Sequence, residues 1–181
     1  MSIADDQEIL GGFAQAETKT FAMNQLIQNY QKGLYWHIRK IVISHDAADD
    51  VLQNTFITVW RGLETFKSES TLSTWIYGIG TNEALIFLRE KSKRHTSAQQ
   101  PIEFELAQNL ENDRYFSGDA IQLKLQKAIL SLPEKQRLVF NMRYFDETPY
   151  EVMSAILASS ERDLKDSYQI AAKAVEELLK S

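Results

Sequence analysis

The sequence predicts an all-α fold: two helical domains joined by a linker. Three observations lead there. With 7 Gly and 3 Pro in 181 residues, turn-makers are scarce and helices should be long. Apolar residues recur at steps of three and four through most of the chain, the period of one helix face. No stretch sustains the strand alternation of apolar and polar residues. Apolar residues make up 44% and charged residues 25%, enough for a packed core and unlike a disordered chain.

The first face runs Met23, Ile27, Tyr30, Leu34, Ile38 and Ile41, with Gly33 as a candidate break between two helices. The second is Leu52, Phe56, Val59, Leu63 and Phe66. A polar break, Lys67 to Thr71, precedes the third, which begins Leu72, Trp75, Ile76 and Ile79; Ser70 or Thr71 suits its cap. Trp60 and Trp75 both read as core on spacing. Residues 96–119 turn polar and acidic, between Pro101 and Gly118, and read as a linker with one short helical turn around Phe104 to Leu110. Helical spacing resumes at Ile121, Leu125, Ala128 and Leu132, and Pro133 opens the next helix in its first turn. Thr148-Pro149-Tyr150-Glu151 carries both halves of a capping box. The short helix it starts is followed by Ala158, a cap at Ser160 and a long last helix bearing Leu164, Tyr168, Ala171, Val175 and Leu178. A short capped helix, a tight turn and a longer helix is helix-turn-helix spacing. The domains are therefore expected at 1–95 and 120–181, with 96–119 as an acidic linker.

Several function classes are excluded at this level. There is no Cys, so no disulfide, thiolate zinc site or thiol nucleophile. His37, His45 and His95 stand far apart, without metal-ligand spacing. No nucleophile–base pair or phosphate-cradling Gly loop is visible, so the expectation is a protein without enzymatic activity, metal or cofactor. No apolar run approaches a membrane span and the N-terminus lacks a signal pattern, which reads as cytoplasmic. The net charge of −5 argues against a nucleic-acid partner only as an average. It resides in Asp46, Asp49 and Asp50 and in the 96–119 stretch. Bases crowd at Arg89, Lys91, Lys93 and Arg94, either a solvated helix end or a phosphate-binding patch.

Three segments carry a family resemblance. Ala48-Asp49-Asp50-Val51-Leu52-Gln53-Asn54-Thr55-Phe56-Ile57-Thr58-Val59-Trp60 is the first. Phe66-Lys67-Ser68-Glu69-Ser70-Thr71-Leu72-Ser73-Thr74-Trp75-Ile76-Tyr77-Gly78-Ile79, continued by Asn82 and Phe87-Leu88-Arg89, is the second. Leu132-Pro133-Glu134-Lys135-Gln136-Arg137-Leu138-Val139-Phe140, then Arg143-Tyr144-Phe145 and Tyr150-Glu151-Val152, is the third. In this order and at these separations the chain resembles the extracytoplasmic-function (ECF) group of bacterial RNA polymerase sigma factors over nearly its whole length. The resemblance implies a first domain for core RNA polymerase and the −10 promoter element. It implies a second domain for the −35 element and the polymerase flap. An anti-sigma factor is a further partner of such proteins.

Carried onto this sequence, the resemblance assigns roles. Asp49, Asp50, Gln53 and Asn54 share an exposed helical face, which would grip a basic coiled coil of the polymerase. The 67–71 break would capture a base flipped from the non-template strand, with hydroxyls from Ser68, Ser70 and Thr71 and a phosphate contact from Lys67. Tyr77 flanks that loop, Asn82 would meet a base edge, and Arg89, Lys91, Lys93 and Arg94 would follow the DNA backbone. Thr81 departs from the family, where many members carry Arg or Lys. In the last helix, Ser160 sits at the N-terminus, Arg162, Lys165 and Gln169 would read the major groove, and Lys173 would touch phosphate. Asp163 and Asp166 are acidic on that helix, and Ala158 replaces the Gly common at the turn. Weak affinity for free promoter DNA is therefore expected. Two other readings stand beside this one: a helix-turn-helix regulator working without polymerase, and a degenerate sigma-like protein-interaction module.

Overall fold

The computed structural model describes residues 3–96, 102–113 and 119–180, and all regular structure among them is helical. In chain order the helices are α1 (Ile3–Phe13), α2 (Lys19–Val42), α3 (His45–Gly62), a 3-10 turn (Leu63–Thr65), α4 (Leu72–Thr96), α5 (Ile102–Asn112), α6 (Ala120–Leu130), α7 (Glu134–Tyr144), α8 (Tyr150–Leu157) and α9 (Glu161–Lys180). None is long and apolar enough to cross a membrane. α1 precedes the first periodic face of the sequence; Ile9 and Phe13, one turn apart, bury it against α2 and the 3-10 turn.

α2 is the axis of the N-terminal half, packing on α1, α3 and α4. Gly33 does not break it. A Cβ there would lie 2.5 Å from the Tyr77 hydroxyl, so the glycine admits a neighbouring helix rather than ending its own. The break falls at Ile43, whose N–H bonds back to the Arg39 carbonyl with φ at 55°, a conformation a β-branched residue rarely adopts. Burial of the Ile43 side chain offsets that strain. Ser44 then caps α3 through the Ala47 N–H, and Thr71 caps α4, its hydroxyl accepting from the Thr74 N–H.

The core of Leu26, Leu34, Ile38, Val51, Val59, Ile76 and Ala84 does not stop at the end of the N-terminal half. It continues into Leu138, Val139 and Met142 of α7, Met153 of α8 and Leu164 of α9. Each such side chain contributes about 1.5–3 kcal/mol when fully buried. A second core, with Ala128, Ile129, Leu132, Phe140, Ala171 and Val175, joins α6, α7 and α9. Where the halves meet, α8 lies on α4, with Ile156 facing Gly78. Beside that contact His37 of α2 joins Asp146, just past α7, at 2.9 Å, and Lys40 pairs with the same carboxylate.

The linker is more ordered than its composition suggests. In place of one short turn there is an 11-residue helix, α5, packed on α4 and α6 through the buried Leu106 and Leu110. Its acids are used on both sides: Glu105 pairs with Lys91 at 2.6 Å, Glu111 with Lys127 at 2.5 Å, and Asp113 with the buried Arg39. Pro101, Gly118 and Arg114 lie outside the described residues. Two cap expectations also change. Thr148 forms no capping box; its N–H turns back to the Met142 carbonyl and closes the α7–α8 turn. Pro133 and Pro149 each occupy the cap position itself, one residue before the helix.

Two outcomes are expected. Gly33→Ala should destabilise the protein by about 1–3 kcal/mol through overpacking. In a Tyr77→Phe background the same change should instead stabilise it, by up to about 1 kcal/mol of helix propensity; urea denaturation of the four proteins measures this. The second concerns Asp146. Burial pushes its carboxyl up, but the hydrogen bonds and charges of His37 and Lys40 outweigh burial and hold it below 3.8. A depressed carboxyl contributes stability above its ordinary value, and that contribution is lost as pH falls through the lowered one. Contact between the halves should therefore hold at neutral pH and weaken below about pH 3.8, and Asp146→Asn should flatten that dependence in small-angle scattering.

Candidate functional site

α3 presents the acidic segment outward. Asp49, Asp50, Gln53 and Asn54 are all exposed, while Val51, Thr55 and Val59 on the other side are buried. Thr55 satisfies its hydroxyl on the Val51 carbonyl, so the inner face carries no unpaired donor there. Trp60 departs from its core assignment: it is 38% exposed, with its ring edge on Phe13 at 5.2 Å. With Met23, Ile27, Gln53, Phe56, Ile57 and Arg61 it lines a shallow, mostly apolar groove. The acidic face and this groove are thus one continuous surface. The signal was present in the sequence, since Gln53, Ile57 and Trp60 stand at i, i+4 and i+7. Spacing alone did not say that Trp60 would stay partly exposed.

The 66–71 loop rests on an aromatic base. Phe66 and Trp75 rings lie 5.0 Å apart, both half-buried. Lys67, Ser68 and Thr71 are exposed and Ser70 is half-buried. Ser68 is held at φ 55°, a left-handed conformation that a serine adopts only under local constraint. Thr71 spends its hydroxyl oxygen on the cap of α4, and Ser70 donates to the Thr71 carbonyl at 3.3 Å.

Along α4 the candidates separate by face. Asn82, Arg89, Lys93 and Arg94 are exposed. Lys91 is half-buried on Glu105, which removes it from the free basic run. Tyr77 turns inward, its ring 5.3 Å from His37 and its hydroxyl over Gly33. Burial, then the Asp146 charge, hold its phenol above the ordinary range. Thr81 is buried as well: its hydroxyl donates to the Tyr77 carbonyl at 2.7 Å and stands 2.8 Å from His37 Nε2. The position where many family members carry a cation faces the interior here.

In the C-terminal half, α8 and α9 are joined through Ala158 at φ 48°, ψ 45°. The Ser160 hydroxyl accepts from the Asp163 N–H at 3.1 Å, so it serves as the helix cap. Arg162, Lys165, Gln169 and Lys173 are exposed on α9 together with Glu161, Asp163 and Asp166. Lys165 lies 3.3 Å from Glu161 and 5.5 Å from the Tyr150 ring centroid. An exposed pair of this kind contributes little.

Two family models match this arrangement. Sigma-70 region 2 matches residues 26–94, spanning the acidic face, the loop and most of α4. Sigma-70 region 4 matches residues 122–166, from α6 through α7 and α8 into the start of α9. The ECF RNA polymerase sigma-E factor of Escherichia coli K12 is 27% identical over 162 residues, covering 84% of this chain and 82% of that protein. The protein of that name from Haemophilus influenzae is 24% identical over 160 residues. Among solved structures, CnrH in complex with the cytosolic domain of CnrY superposes with a TM-score of 0.69 at 19% identity, covering 97% of both chains. The sigma factor RpoE in complex with the anti-sigma factor NepR, from Bartonella quintana, gives 0.66 at 22% identity, covering 87% of this chain and 96% of that one. Region 2 followed by region 4, on an all-helical frame, defines an RNA polymerase sigma factor. Within that class the chain belongs to the ECF family, and it is an alternative sigma factor, a subunit that brings core polymerase to promoters.

Ala158 offers a direct check on the turn. A residue with a Cβ at positive φ costs about 1 kcal/mol that glycine does not. Ala158→Gly should raise stability by about that amount in urea denaturation, with Arg162 and Gln169 left in place.

Proposed function

We propose that residues 1–95 form the domain that binds core RNA polymerase and the −10 element. Residues 120–181 form the domain for the −35 element, and 96–119 link the two. The observation that carries this reading is the continuous outward surface on α3, Asp49, Asp50, Gln53 and Asn54 running into the Trp60 groove. An acidic rim beside an apolar seat suits a basic helical element of a partner. The charges set encounter and register, and the tryptophan supplies the buried anchor. A helix-turn-helix regulator working alone has no use for such a surface.

The −10 role falls to the exposed Lys67, Ser68 and Thr71, the half-buried Ser70, and Asn82 one face away from Thr81. The Phe66–Trp75 base supports stacking of a flipped nucleobase. Arg89, Lys93 and Arg94 track the DNA backbone, and Lys91 joins them once Glu105 lets it go. Tyr77 acts from behind, by fixing α4 on α2. On α9, Arg162, Lys165, Gln169 and Lys173 face the −35 element, with Ser160 ordering the helix start. Glu161, Asp163 and Asp166 on the same exposed surface limit affinity for free DNA. The chain performs no chemistry of its own, uses no cofactor, and works in the cytoplasm with its polymerase. An anti-sigma factor is its expected inhibitor. Both structural neighbours support this, RpoE being in complex with the anti-sigma factor NepR and CnrH with the cytosolic domain of CnrY.

Reconstitution with core polymerase, followed by sequencing of transcript starts on genomic DNA, tests the reading; no complex with core at any salt would end it. Within it, Asp50→Lys and Trp60→Ala should each weaken core binding by about tenfold or more, on the order of 1.4–2 kcal/mol. Asn82→Ala should leave core affinity unchanged and reduce permanganate-reactive melted promoter. Equal loss of both activities by all three variants would count against the division of roles.

A further inference from the structure

A cleft of about 870 Å³ lies where α4, α5, α6 and the start of α7 converge. The sigma-factor reading gives it no occupant. Its walls are mostly apolar: Leu88 from α4, Ile102, Leu106 and Ala107 from α5, and Leu130 and Leu132 at the turn from α6 to α7. The volume falls in the range of about 300–1,000 Å³ that small-molecule sites occupy. Among the described residues that line it there is no aromatic ring, so a nucleobase or other flat ring finds no stacking surface. Branched aliphatic walls of this kind suit a flexible hydrocarbon chain, whose burial needs area and not orientation.

Charge around the cleft has a predominant sign. Bases outnumber acids there by four to two: Arg89, Lys93, Lys127 and Arg137 against Glu111 and Glu134. Lys127 and Glu111 pair with each other at 2.5 Å and drop out of the balance. Arg137 donates to the Leu130 carbonyl at 3.0 Å, which holds its guanidinium beside the turn from α6 to α7. Arg89 and Lys93 stand four residues apart on α4 and are both exposed, so their charged ends lie side by side. The start of α7 forms another part of the wall, through Ser131 to Glu134. Its cap residue is Pro133, whose side chain gives the first-turn N–H groups no acceptor. The partial positive charge of that helix end adds to the three cations. Glu134, exposed in the same turn, is the lining acid left against them.

We propose that this cleft binds a medium-chain fatty acid. The tail lies on the leucine walls, and the carboxylate is held by Arg89, Lys93 and the start of α7. The apolar walls set the class of tail, and the net positive charge at the cleft sets an anionic head. Arg89 and Lys93 are the side chains also assigned to the DNA backbone, and they hold a carboxylate by the same charge-assisted contacts as a phosphate oxygen. The inference stands apart from the sigma-factor reading, since its test involves neither polymerase nor DNA.

Isothermal titration calorimetry of the full-length chain with decanoate, kept below its micellar concentration, provides that test. One saturable site per chain is expected. Octanoate, two methylenes shorter, should bind up to about fifteenfold more weakly, at about fourfold per buried methylene. Decyltrimethylammonium has the same tail and the opposite charge, and should bind at least about tenfold more weakly than decanoate. Ala107→Trp fills the cleft from α5 and should lower decanoate affinity by at least about tenfold. The double variant Arg89→Gln with Lys93→Gln, changed only at exposed positions and therefore safe for folding, carries the same expectation. Circular dichroism checks that each variant is folded. Absence of decanoate binding overturns the proposal. Equal affinity for decyltrimethylammonium overturns the anion site. Undiminished decanoate affinity in the folded variants puts the ligand elsewhere and overturns the cleft.

Discussion

The close approach of α2 and α4 sets the rest of the arrangement. Gly33 and His37 stand one turn apart on α2, and Tyr77 and Thr81 stand one turn apart on α4. The two rows meet: the Tyr77 hydroxyl occupies the space that only a glycine leaves, and the Thr81 hydroxyl reaches the ring of His37. Rows four residues apart interlock in this way when two helices pack. Once Tyr77 and Thr81 point inward, the rotation of α4 is settled. Asn82, Arg89, Lys93 and Arg94 are then exposed, and Gly78 lies open to α8. The same contact leaves the second nitrogen of His37 available to Asp146. A packing constraint inside one half thereby prepares the polar contact with the other.

Charge follows an equally local logic. The acids fall into four groups. Those on α3 stay in water, where they can complement a basic partner. Glu105 and Glu111 of α5, and Asp113 just past it, pair with Lys91, Lys127 and Arg39, tying this helix to both halves. Asp146 takes both His37 and Lys40 onto one carboxylate. The acids on α9 share its exposed surface with Arg162 and Lys165 and keep that helix from being a strong anion-binding surface by itself. A net charge of −5 is thus compatible with a DNA-directed protein because acids and bases are unevenly distributed along the chain, with Arg89, Lys93 and Arg94 crowded at the end of α4.

Much of the site was legible because its residues lie close in sequence on one element. Asp49, Asp50, Gln53 and Asn54 share two turns of one helix, so their common face follows from period alone, and these four are exposed. The caps at Thr71 and Ser160 likewise needed only local spacing. Trp60, Tyr77 and Lys91 were placed differently because each answer depends on a remote element: Phe13 on α1, whose ring meets Trp60 edge-on, the glycine on α2, and Glu105 on α5. Thr148 shows the same limit on a smaller scale. Its capping signature is complete in sequence, yet the Met142 carbonyl, six residues back, takes its N–H.

By itself the sequence determined the class of fold, the two matched sigma regions and the faces that carry like residues together. These rest on short-range period, caps and turn residues, which act within a few positions of one another. Only the tertiary structure decided which helix face is covered, that the linker is a packed helix, and that the halves share a core closed by His37, Lys40 and Asp146. The residues that meet there are separated by more than a hundred positions, and no local pattern says which buried imidazole will find which carboxylate.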